Sequence, residues 1–145
     1  MAPWDGFRFV RDVAPPRAGH RIHLHNLAIA ELLFDARNTY ITECAGIAWQ
    51  ALFDSGRNLV MRRLEIDYES EVDAGVRLKV GIRAIARSRR TVSLHEAVWC
   101  ADPPMPVAVG RSVHLVVSFD APGAIELPED VVQRFETYEG RRLGE

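Results

Sequence analysis

Asn26 to Ile41 reads NLAIAELLFDARNTYI, and this run decides the fold. Leu27, Ile29, Ala30, Leu33, Phe34, Ala36 and Ile41 put apolar groups on most sides of a helix, which predicts an element largely buried in the protein. Asn26 suits its N-cap, because a short side-chain oxygen accepts from the first-turn amides. The polar exceptions are Glu31, Asp35, Arg37 and Asn38, and Glu31 and Asp35 share a face at a spacing of four. The helix is expected to run to about Cys44 and break near Gly46. A second helical stretch, Ile47 to Phe53, closes at Ser55-Gly56.

Outward from this helix the period falls to two. Phe7 to Arg11 reads as a first strand, followed by an irregular Asp12 to His25 broken by Pro15, Pro16 and Gly19. That segment carries His20, His23 and His25. Downstream, Leu59 to Tyr68 alternates with Val60, Arg62, Leu64, Ile66 and Tyr68 on one side. Val76 to Ala86, Thr91 to Cys100 and Val107 to Ser118 follow, joined by hairpins at Arg87-Ser88-Arg89-Arg90 and Asp102-Pro103-Pro104. Leu127-Pro128-Glu129 opens a short C-terminal helix. One long apolar helix followed by a run of strands is an α+β layout: a central helix wrapped by a curved antiparallel sheet of about five strands, in a single domain spanning residues 1–145.

A net charge of −2 provides no sustained basic face and argues against nucleic acid as partner. No window approaches the ~18 apolar residues of a membrane span, and the first residues show no basic region leading into an apolar run, so a cytoplasmic location is expected. Cys44 and Cys100 lack metal-type spacing and read as reduced thiols.

Several strings then fall in an order that resembles the hotdog-fold thioesterases of the 4-hydroxybenzoyl-CoA thioesterase type. They are HLHN at 23–26, DAR at 35–37, RRLEIDY at 62–68, Gly75, ARS at 86–88, GRSVHLVV at 110–117 and LPED at 127–130. RLEIDY is the most specific. The resemblance implies a hydrolase acting with water on the thioester of an acyl-CoA or acyl-carrier protein, without cofactor or metal. It also implies a homo-oligomer, dimer or homotetramer, whose site lies at a subunit interface. At the chemistry the chain departs from the family. Alignment on Asn26 puts Gly19 where the family has its catalytic Asp. Alignment on Gly19-His20 puts Pro16 there, and no carboxylate lies between Asp12 and Glu31.

The resemblance places the oxyanion donor at the backbone amide of Asn26 or its neighbour, where the helix dipole favours developing negative charge. For the group that aims or deprotonates water, His23 and His25 are candidates because imidazole titrates near neutrality. Glu31, on the second turn, is another. Asn26 and Arg37 are further candidates as water-holding residues. Each has a plainer reading: loop histidines bonded to backbone, a surface ion pair for Glu31, an intersubunit salt bridge for Arg37. Gly19, Leu24, His25 and Leu27 are expected along the substrate path, with Leu24, Leu27 and Ile29 favouring an apolar or aromatic acyl group. Arg62 belongs to the strand that pairs across the dimer in this family. Arg87, Arg89 and Arg90 suit the phosphates of a phosphopantetheine carrier, or form a solvated hairpin. Two other functions stay open: a catalytically altered hotdog protein that binds acyl groups or carrier protein, and a dehydratase-like enzyme. The Asp-x-x-x-x-His pair usual in hydratases of this fold is missing at Asp12 to Arg17.

Overall fold

The computed structural model describes residues 4–13, 26–73 and 75–144. Five strands form one antiparallel sheet: β1 (Phe9–Val13), β2 (Arg57–Tyr68), β3 (Leu78–Arg87), β4 (Thr91–Ala101) and β5 (Pro104–Ser118), in the order β1-β3-β4-β5-β2. The expected α+β layout is therefore present. Period-two patterning explains the sheet's two faces. On β3, Leu78, Val80, Ile82 and Ala84 are buried toward the core, whereas Lys79 and Arg83 point the other way. The long helix α1 (Asn26–Thr39) lies across β3 and β4. It buries Ile29, Leu33, Ala36 and Arg37, positions that recur at helical spacing.

α1 does not stop cleanly. It widens into a π turn over Tyr40–Cys44, in which the Ala45 amide reaches back to the Tyr40 carbonyl at 2.9 Å. Tyr40 is fully buried there, and its hydroxyl donates to Glu139 Oε2 (2.5 Å) and accepts from the Ala84 amide (3.0 Å). Burial and the adjacent carboxylate hold this phenol far above its ordinary pKa. α2 (Trp49–Asp54) packs on β2. α3 (Glu129–Glu139) buries Val131, Val132 and Phe135 and ends at Gly140, whose φ of 72° suits glycine.

Three expectations need correction. The helix, expected to be largely buried, is less so than its apolar residues imply: Leu27 is 71% exposed and Phe34 55%. α1 packs chiefly on β3 and β4, and on the helix-side face of β2 Leu59 is buried while Met61, Leu64 and Tyr68 are exposed. Second, Arg62 does not share a face with Leu64. The register passes from Met61↔His114 to Arg63↔Val113, leaving Arg62 in a bulge. Leu64, Ile66 and Tyr68 therefore share their face with Met61 and Leu59, while Val60 points the other way. Third, Phe7 lies before β1, not inside it, and covers Gly81, where a Cβ would come within 2.7 Å of its ring.

Candidate active site

Asn26 begins α1 with its side chain exposed, and the first-turn amides have no acceptor within the helix. Tyr68, the last residue of β2, reaches over and donates its hydroxyl to the Asn26 carbonyl at 3.3 Å. Beside this contact is a cavity of about 290 Å³ lined by Asn26, Ile29, Tyr68, Glu69, Ser70, Glu71 and Val72. An open pocket at a helix N-terminus is a ready site for developing negative charge. Two carboxylates that are not among the sequence candidates, Glu69 and Glu71, stand at its wall. Their only signal is their place directly after RRLEIDY, since nothing local ties residue 69 to residue 26.

Gly19, His23, Leu24 and His25 fall outside the described residues. Leu27 and Glu31 are exposed on the outer flank of α1, in line with Phe34. Arg62 is exposed in the bulge of β2. The hairpin arginines are remote from Asn26 within one chain. Tyr68 is level with the Leu78 end of β3, and Arg87 lies about 20 Å further along. Arg87 pairs with Glu129 (3.4 Å) and Arg89 with Glu126 Oε1 (Nε at 2.7 Å), which tie the hairpin to the approach to α3. Arg90 is exposed in the same turn.

Arg37 is where the structure departs furthest from expectation. Its partner is not on another subunit but is Glu96 of the same chain. Nε meets Oε2 at 2.6 Å and Nη2 meets Oε1 at 2.7 Å, with both side chains out of water. The same Glu96 oxygen accepts from Ser112 Oγ (2.7 Å), and Ser112 Oγ contacts His114 Nε2 (2.9 Å). Burial, and behind it the Arg37 charge, pushes the His114 imidazole down to about 4, so it is neutral at physiological pH. Gly110 lets β2 come close beside this polar chain: a Cβ there would stand 2.9 Å from the Glu65 carbonyl, while its 3.8 Å to the Glu96 Cβ is ordinary contact.

The family model for the thioesterase-like superfamily matches residues 19–135. The chain belongs to that superfamily. Its fold is the hotdog fold that the sequence strings suggested. Among solved structures, a hypothetical protein from Staphylococcus aureus in complex with CoA superposes with a TM-score of 0.79 at 13% identity, over 92% of this chain and 85% of its own. A thioesterase from Thermus thermophilus, complexed with coenzyme A and Zn, gives 0.77 at 22% identity over 96% and 99%. A 1,4-dihydroxy-2-naphthoyl-CoA thioesterase from Synechocystis gives 0.74 at 15% identity over 91% and 95%. No curated protein matches this thioesterase-superfamily chain significantly. Among the described residues, no helix is long and apolar enough to cross a membrane.

Proposed function

We propose that this protein is a thioesterase that hydrolyses an acyl-CoA or acyl-carrier-protein thioester with water, its oxyanion held by backbone amides at the start of α1. The observation that carries this reading is the open cavity at Asn26, bounded by the helix N-terminus and Tyr68. A preorganised amide donor of this kind contributes about 2.7–4 kcal/mol to the barrier reduction. Membership of the superfamily, and the CoA bound by two structural relatives, support the substrate class.

The working form is a homo-oligomer built on a second copy of the chain. β2 is a twelve-residue strand whose outer backbone has no sheet neighbour among the described residues, and Met61, Leu64 and Tyr68 expose apolar surface along it. An edge of that length and character invites a partner. Twofold antiparallel pairing of β2 with β2 sets the Tyr68 end of one copy beside the Arg57 end of the other. That exchange of ends carries the partner's hairpin arginines toward the Asn26 cavity, where phosphates of the carrier would lie.

The test offers short, long and aromatic acyl-CoAs to the purified chain and follows free thiol. Thiol release that Asn26→Pro suppresses at least about 100-fold supports the reading, since proline is tolerated in a first helical turn but removes the N–H. CoA binding without thiol release favours an acyl-binding protein instead.

A further inference from the structure

We infer that His114 supplies the proton acceptor for the hydrolytic water, acting across the subunit interface on the thioester held at the partner's helix N-terminus. The inference rests on the thioesterase reading and names the group that stands in for the missing loop carboxylate.

Three observations lead to it. His114 is only 4% exposed, yet just one of its ring nitrogens has a hydrogen-bond partner among the described residues. Ser112 Oγ donates its single proton to Glu96 Oε2, so it accepts from His114, which places the imidazole proton on Nε2 and the lone pair on Nδ1. Every enclosed side-chain nitrogen and oxygen among the described residues has a partner. Nδ1 has no hydrogen-bond partner among the described residues, and the strip beside His114 is apolar and exposed. Met61 and Leu64, exposed at 46% and 37%, are the direct cross-strand neighbours of His114 and Ser112 on the helix-side face. A fixed tautomer whose second nitrogen keeps its lone pair for a proton is what a base requires. Arg37, Glu96 and Ser112 are positioning residues that act through it.

The third observation is distance. His114 lies six residues along β5 from Ala108, the partner of Tyr68, which is about 20 Å. It cannot serve the Asn26 of its own chain. It lies in the Arg57–Met61 half of the sheet edge, the half that antiparallel β2 pairing sets beside the partner's Asn26.

In the step itself, a water oxygen attacks the thioester carbonyl carbon while its proton moves to Nδ1 of His114. The carbonyl π pair becomes the oxyanion at the helix amides. When the carbonyl re-forms, the C–S bond breaks, and the departing sulfur takes the proton from His114. The products are a free acid and a thiol.

Glutamine separates chemistry from packing, because its amide occupies the Nε2 position and keeps the bond to Ser112 but offers nothing at Nδ1. In the full-length oligomer, His114→Gln is expected to lower kcat for acyl-CoA hydrolysis by about 100-fold or more. KM and the melting temperature should stay close to wild type, and His114→Asn, whose amide accepts a hydrogen bond but not a proton, should recover none of the loss. Mixing His114→Gln with Asn26→Pro subunits then tests the crossing. Each homodimer is inactive, whereas a hybrid has one complete site, so a random mixture should recover about a quarter of wild-type activity. Wild-type kcat in His114→Gln, or hybrids that stay silent while Glu69→Gln or Glu71→Gln abolishes turnover, would overturn the proposal and leave the thioesterase reading intact. No thiol release from wild type overturns both.

Discussion

Arg37 and Glu96, fifty-nine residues apart, meet through two parallel hydrogen bonds in a site closed to water. The pair pins the central helix to β4. Losing one member leaves a buried charge with no counterpart, which costs more than removing both. We expect Glu96→Gln and Arg37→Met each to destabilise the fold by about 3–5 kcal/mol, and the double variant by clearly less than the sum. Urea denaturation of the four proteins in a cycle checks this.

His114 makes stability depend on pH. Its folded pKa of about 4 lies below the ordinary 6.5. In that interval the unfolded chain binds a proton that the folded chain refuses. The contribution is therefore complete above about pH 6.5 and is lost as pH falls through 4. The slope reaches at most about 1.4 kcal/mol per pH unit. His95, half-buried beside Arg83, is shifted the same way, by burial first and the Arg83 charge second, and adds to the trend. Denaturation midpoints measured from pH 4 to 8 should fall on the acid side, and His114→Gln should flatten part of that fall.

Tyr68→Phe removes the hydroxyl from the Asn26 carbonyl and nothing else. The bond is long and exposed, so its loss should cost about 0.5–1.5 kcal/mol. If that contact fixes the helix start, kcat/KM for thioester hydrolysis should drop about 2- to 10-fold while the melting temperature moves little. An unchanged kcat/KM would remove Tyr68 from the site.

Leu64→Lys puts a charge in the middle of the apolar strip on β2. Sedimentation should show the oligomer replaced by a single copy, and thiol release should fall with it, because the expected site spans two copies. A variant that stays oligomeric and active would place the interface elsewhere.

The strands are legible in the sequence because alternation is local. Val80, Ile82 and Ala84 announce their shared face without reference to any other element. The Met61/Arg63 bulge is not legible, since an extra residue keeps the composition of a strand while reversing the sides of everything before it. Strict alternation therefore puts Arg62 on the wrong face. The Arg37–Glu96–Ser112–His114 chain is hidden for a different reason. Its members come from α1, β4 and β5, and only the sheet order brings them together. Asn26 is legible as a helix start, and the string that ends on it helps carry the family. Glu69 and Glu71 are not, because the wall they form depends on where β2 ends in space.

The described ties of α1 differ in kind along its length. Arg37 and Tyr40 hold its last turns to β4, β3 and the end of α3 through buried polar contacts, whereas the Tyr68 hydroxyl reaches the Asn26 carbonyl through one long, exposed bond. On the thioesterase reading, the far end of the rod is the fixed reference and the amide-bearing tip is the part whose position that phenol trims. Breadth of acyl range then becomes a question of how the phenol itself is held.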